Sequence, residues 1–158
     1  MNPKTVYLVD ENEEQRRAFT LTLNELFEGT GVVIQAMVPL PAQSDYATVL
    51  ADGAAAALIL DQKLEDGGVP YSGTELSAYL RGIVPKLPIF ILSNFTDDPA
   101  LFEEGEGDVE YIVPKKVIAD PTCREAQIFK ARFLRRLNVF ADVLNERAQR
   151  YHELLVQA

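Results

Sequence analysis

The chain has 158 residues, 47% of them apolar and 25% charged, which fits one globular domain with a short appendage and excludes a disordered, collagenous or rod-like chain. Against 15 Lys and Arg stand 24 Asp and Glu, a formal net charge of -9 that argues against a nucleic-acid-coating surface and for cations or basic partners. Residues 1–123 carry 8 basic and 20 acidic side chains, whereas residues 124–158 carry 7 and 4, so the chain is acidic and then mildly basic.

Val6-Tyr-Leu-Val9 is a short apolar run of strand formers and predicts a buried strand. The period then changes, and Ala18, Leu21, Leu26 and Phe27 mark an amphipathic helix from about Glu13 to Glu28, begun among acids and closed by Gly29. Val32 to Val38 is the second strand, Tyr46 to Ala51 a short helix, and Ala55 to Leu60 the third strand, ending at Asp61. Paired glycines and Pro70 make Gln62 to Ser72 a loop before a helix from Thr74 to Ile83. Pro88 to Leu92 is the fourth strand, Pro99 to Glu104 a short helix, and Val109 to Val113 the fifth strand. From Glu125 the pattern is helical for some thirty residues, with Phe133, Leu137, Phe140, Leu144 and Tyr151 at alternating spacings of four and three, interrupted only by Arg147.

Strands alternating with helices, each strand nearly continuous in apolar residues, predict an α/β fold with a parallel sheet covered on both faces. In an open doubly wound sheet of this kind ligands bind at the carboxyl ends of the strands. Those positions hold Asp10-Glu11, Asp61, Ser93-Asn94 and Lys115-Lys116. Singly, each is an ordinary turn or cap residue or a solvated charge. Together they form one coherent site. Three carboxylates at one edge repel one another unless a cation is present, and Mg2+ suits a site with few protein carboxylates. A hydroxyl and an ammonium beside them complete what a phosphoryl group needs.

The segments Val6-Tyr-Leu-Val-Asp-Glu-Asn12, Leu58-Ile-Leu-Asp-Gln-Lys-Leu64, Gly73-Thr-Glu-Leu76, Pro88-Ile-Phe-Ile-Leu-Ser93 and Tyr111-Ile-Val-Pro-Lys115 resemble the receiver domains of two-component response regulators over about residues 4 to 125. The resemblance implies a doubly wound, five-stranded parallel sheet of flavodoxin-like order 2-1-3-4-5. It also implies Mg2+-dependent self-phosphorylation, in which Asp61 takes a phosphoryl group from a phosphohistidine on a sensor histidine kinase or phosphotransfer protein. On this match Asp10 and Glu11 are the metal-binding acids, Lys63 gives its backbone carbonyl to the metal, Ser93 is the switch hydroxyl, and Tyr111 is the rotating aromatic. Lys115 meets the phosphoryl oxygens, with Lys116 as the alternative one residue on. Gly73 follows Asp61 by twelve residues, a longer connection than is usual in that family.

The helix closing such a domain needs about fifteen residues, whereas here the pattern runs from Arg124 nearly to Ala158, roughly 45 Å at 1.5 Å per residue. We therefore expect a receiver-like domain over residues 1–124 and a helix over 125–158 that closes it and extends beyond. The extension suits a homodimer or a downstream protein target as well as folding back on its own domain. Nucleic-acid binding through Arg132, Arg135 and Arg136 is disfavoured because no helix-turn-helix partner accompanies them. His152 reads as a surface residue. Residues 1–14 lack a basic segment followed by an apolar run, no eighteen-residue apolar stretch occurs, and Cys123 has no internal partner, so a cytoplasmic protein away from membranes is expected.

The expected function is a phosphoacceptor switch acting through protein contacts, not an enzyme with an external substrate. A receiver-like module that works without phosphorylation is the alternative, and a metal-dependent phosphohydrolase is a third, disfavoured by the lack of a second base.

Overall fold

A computed structural model describes residues 3–51, 55–94, 103–104 and 111–157, and for residues 103–104, 111, 142–149, 151–153 and 156–157 it describes the backbone. The strands are β1 (Lys4–Val9), β2 (Val32–Met37), β3 (Ala55–Asp61), β4 (Ile89–Ser93), β5 (Glu103–Glu104) and β6 (Tyr111–Pro114). The helices are α1 (Glu13–Leu26), α2 (Ala47–Leu50), α3 (Gly73–Ile83), α4 (Lys115–Ile118) and α5 (Arg124–Gln157), with single 3-10 turns at Gln43–Tyr46 and Leu64–Gly67. The sheet order is β2-β1-β3-β4-β6-β5, and its first five members are mutually parallel. They are the five strands expected, in the expected order.

Period-2 alternation sorts the central strands between two cores. Ala57 and Ile59 of β3 and Phe90 and Leu92 of β4 join Leu23 and Phe27 near the end of α1 and Phe129, Phe133 and Leu137 of α5. Leu58, Leu60, Ile89 and Ile91 turn the other way, onto Leu76 and Leu80 of α3 and the buried rings of Tyr46 and Tyr71. Because β1, β3 and β4 are covered on both faces, their sequences read as continuous apolar runs. Four phenylalanines, Phe27, Phe90, Phe129 and Phe133, pack with ring centroids 4.8 to 6.2 Å apart and tie α1, β4 and α5 together.

Local chemistry sets the element ends that matter for the site. Asn12 caps α1 by accepting the Gln15 N–H at 2.9 Å. Ser72 and Glu75 form a capping box at α3, with Ser72 Oγ accepting the Glu75 N–H and Glu75 Oε1 accepting the Ser72 N–H, both at 3.2 Å. On the open edge of β2, the Asn24 amide binds both backbone groups of Ile34, at 2.9 and 3.1 Å, and so occupies an edge that could otherwise pair with another strand.

Three details differ from the sequence expectations. The short helix expected over Pro99–Glu104 does not form at its end: Glu103–Glu104 pairs antiparallel with Ile112 and Tyr111, while residues 99–102 lie outside the described residues. A six-residue helix is too short to stand alone, and the open edge of β6 offers the backbone a ladder instead. The one-turn helix α4 was not anticipated, since four residues show no periodicity; it buries Val117 and Ile118. Within the expected loop after Asp61, the turn at Leu64–Gly67 buries Leu64 and ends at Gly68, whose φ of 94° falls in the left-handed region.

α5 is one helix of 34 residues. Its described buried side chains run from Ala126 to Phe140, while Leu154 and Leu155 near its end are 66% and 59% exposed. No helix among the described residues is long and apolar enough to cross a membrane.

Candidate functional site

Parallel strands deliver their last residues to one edge of the sheet, so Asp10, Asp61, Ser93 and Lys115 converge although the sequence separates them widely. Asp10 follows β1 and is fully buried. Its Oδ1 accepts the Asn12 N–H at 2.9 Å, and its backbone carbonyl accepts Arg16 Nη1 at 2.8 Å. Its Oδ2 is buried with no hydrogen-bond partner among the described residues. Burial raises the Asp10 carboxyl above its ordinary range, opposed by the Asn12 N–H and reinforced by the charge of Asp61.

Asp61 ends β3 and is 2% exposed. Lys115 Nζ lies 2.8 Å from its Oδ1, and the same ammonium donates to Gln15 Oε1 at 2.8 Å. Of the two candidate lysines the structure brings Lys115 to Asp61 and leaves Lys116 exposed. Pro114 in extended conformation sets this choice, since it starts α4 with Lys115 as the first helical residue, turned inward. Glu11 is half-buried, and one carboxylate oxygen each from Asp10, Glu11 and Asp61 lie within 4.8 Å of one another.

The loop beside Asp61 packs against this cluster. A Cβ at Gly67 would sit 2.6 Å from the Glu11 Cβ, so the turn rests on the stem of that side chain. A Cβ at Gly73 would meet the Asp61 carbonyl oxygen at 2.5 Å. Gln62 fixes the far side: its carbonyl accepts the Gly73 N–H at 3.0 Å, and its Oε1 accepts from Thr74 N and Oγ1 at 3.1 and 2.6 Å.

The remaining expected residues stand as follows. Ser93 is buried at the end of β4, one position past Leu92, the cross-strand partner of Asp61. The Lys63 carbonyl accepts the Asp66 N–H at 3.1 Å, so a metal contact there would use its second lone pair. The Tyr111 backbone lies in β6 opposite Phe90; its side chain, like that of His152, lies outside the described residues. Gln15, Asn12, Arg16 and Gln62 were not singled out from sequence. The available signal was Asn12 three residues before Gln15, the spacing of a helix cap, on the segment leaving Asp10.

Among the described residues three carboxylates face one ammonium, with the Arg16 guanidinium held on the Asp10 backbone beside them, so acidic groups outnumber basic ones at this edge. The donor set is all oxygen, and the unpartnered Asp10 Oδ2 gives a hard divalent cation a ligand atom, so these residues fit Mg2+.

No protein-family model matches the sequence, and a search of curated proteins gives no match. Solved structures do match. A receiver domain protein from Clostridium thermocellum aligns with a TM-score of 0.52 and 12% identity over 90% of this chain and 97% of its own. TrrA from Thermotoga maritima, solved with Mg2+ and BeF, aligns with a TM-score of 0.54 and 16% identity over 84% of this chain and 98% of its own. The fold is that of a response-regulator receiver domain. Salmonella typhimurium RcsB, a response regulator solved in a study of its DNA interaction, gives a TM-score of 0.53 and 18% identity over 77% of this chain. The alignment spans 56% of the RcsB chain, so the receiver fold accounts for part of that protein's length.

Proposed function

We propose that the protein is a phosphoacceptor switch in which Asp61 is the residue modified. The observation that carries this reading is the buried Asp61 carboxylate, held at 2.8 Å by Lys115 and gathered with Asp10 and Glu11 within 4.8 Å. With Lys115 on Oδ1, the other carboxylate oxygen attacks the phosphorus of a phosphohistidine on a kinase or phosphotransfer protein. The O–P bond forms as the P–N bond breaks, and the histidine leaves with its electron pair. Lys115 then meets the phosphoryl oxygens, and the Ser93 hydroxyl at the end of the adjacent strand supplies a donor that reads the new group.

Asp10, Glu11, Asp61 and the second lone pair of the Lys63 carbonyl would hold Mg2+, which when bound neutralises charge on the incoming phosphoryl group. The output in this reading is a protein contact, and the reaction is self-modification of the domain. In this reading the phosphoryl group comes from a kinase supplied with ATP, and the protein would work in the cytoplasm. Leu154 and Leu155, exposed near the end of α5, support a contact with a second copy or a target there.

The test is exposure of the purified protein to acetyl phosphate and Mg2+. Intact mass should rise by one phosphoryl group, about 80 Da, for the wild type and stay unchanged for Asp61→Asn. An unmodified wild type that also ignores beryllofluoride sinks the reading. A second reading, a contact module independent of phosphorylation, is supported by the turn at Leu64–Gly67 resting on Glu11. Tight partner binding that survives Asp61→Ala would favour it.

A further inference from the structure

Lys115 is reached from α1 as well as from β3. Its ammonium has donors only, so the Gln15 atom facing it at 2.8 Å is the amide oxygen. This contact joins residues one hundred positions apart and completes a chain of contacts. Asp10 Oδ1 accepts the Asn12 N–H at 2.9 Å, Asn12 Oδ1 accepts the Gln15 N–H at 2.9 Å, Gln15 Oε1 accepts from Lys115, and Lys115 meets Asp61 Oδ1 at 2.8 Å. The two buried acids are thereby linked through the first turn of α1.

We infer that Gln15 is a positioning residue of the phosphoryl site, holding Lys115 Nζ at the acceptor carboxylate. The inference rests on the phosphoacceptor reading above and adds the residue that fixes its lysine.

The chemistry favours an amide in this place. A flexible four-carbon stem leaves the ammonium free to swing, and a second acceptor across from Asp61 removes that freedom. A carboxylate in the same place would also hold the lysine, but it would add a fourth negative charge to the acidic edge and compete with a phosphoryl group for the cation. A neutral acceptor fixes the position of Lys115 and leaves its charge for the phosphoryl oxygens. Asn12 acts one step back, since it binds the backbone N–H of Gln15 while capping the helix.

The test separates the lysine from the metal. Wild type, Gln15→Met and Asn12→Ala are titrated with Mg2+ alone and then, at saturating Mg2+, with beryllofluoride, followed by NMR shifts; thermal midpoints are recorded in parallel. Gln15→Met, which keeps the length of the side chain and loses the acceptor, should bind beryllofluoride about tenfold more weakly. Its Mg2+ affinity should match the wild type, because Gln15 touches none of the three carboxylates, and its midpoint should fall by only the few degrees that one lost hydrogen bond costs. Asn12→Ala should weaken beryllofluoride in the same direction by a smaller factor. Equal beryllofluoride affinity in wild type and Gln15→Met overturns the inference, as does a loss matched by an equal loss of Mg2+ affinity, the mark of a merely structural role. A wild type that binds Mg2+ and no beryllofluoride overturns the phosphoacceptor reading, and the role of Gln15 falls with it.

Discussion

The hydroxyls of Tyr46 and Tyr71 lie 2.7 Å apart in the interior, 25 positions apart in sequence, and both engage the backbone of Leu40. Each phenol has one proton. Tyr71 gives its proton to the Leu40 carbonyl, so Tyr46 donates to Tyr71 and accepts the Leu40 N–H at 3.0 Å. The pair thus fastens the segment after β2 to the loop that runs from Asp61 to α3.

Tyr71→Phe leaves the ring in place and strips a partner from both the Leu40 carbonyl and the Tyr46 hydroxyl. A buried group left unpaired costs about 1–3 kcal/mol, so chemical denaturation should show a loss of at least about 1 kcal/mol. A loss below about 0.5 kcal/mol, the scale of a surface change, would count against the pair as a fastening.

Asp10 predicts an unusual pH response in the metal-free protein. Its carboxyl is raised above the ordinary 3.8, first by burial and then, after the opposing Asn12 N–H, by the charge of Asp61. The folded state therefore holds this proton more tightly than the unfolded chain. The stabilisation is fully present below pH 3.8 and is lost as the pH rises through the elevated value, so ionised Asp10 works against folding at neutral pH. In EDTA at pH 7, Asp10→Asn should raise the thermal midpoint by about 2–4 °C, roughly 1 kcal/mol for a chain of this size. Added Mg2+ should stabilise the wild type and leave the variant unmoved. A variant less stable than wild type in EDTA contradicts the assignment.

Two glycine substitutions should act with opposite signs. In Gly67→Ala the new methyl would lie 2.6 Å from the Glu11 Cβ, a stem that cannot swing aside, so either the turn or the start of α1 must shift. Such overpacking costs typically about 1–3 kcal/mol, and Mg2+ affinity should fall with it because Glu11 moves. Gly82→Ala, inside α3 with nothing within 4 Å of the added Cβ, should instead stabilise by about 0.5–1 kcal/mol. Urea denaturation of both variants with a Mg2+ titration of Gly67→Ala reads out the contrast.

The two parts of α5 should respond differently to truncation of an apolar side chain. Phe133 is fully buried within 4.8 to 5.6 Å of three other phenylalanine rings, and Phe133→Ala should cost about 3–5 kcal/mol. Leu154 is 66% exposed, so Leu154→Ala should stay within about 0.5 kcal/mol for the monomer. A concentration-dependent midpoint that Leu154→Ala abolishes would instead place a second copy on that end of the helix.

The strands of this protein were legible because β1, β3 and β4 are buried on both faces, and a doubly covered strand writes itself as an unbroken apolar run. Helix α1 was legible through its period, the acids at its start and the glycine after its end. Alternation of strand and helix then implied the parallel sheet, and a parallel sheet sends Asp10, Asp61, Ser93 and Lys115 to one edge whatever the side chains between them. Local pattern could not reach contacts made between distant segments. The choice of Lys115 over Lys116, the hold of Gln15 on that lysine, the rest of Gly67 on Glu11 and the pairing of Tyr46 with Tyr71 each depend on how loops fold back over the sheet. The same holds for β5, whose two residues have no strand signal of their own and take their conformation from the open edge of β6. Burial follows from sequence period, whereas the partner of a polar group is fixed by three-dimensional distance, and only the folded chain sets that.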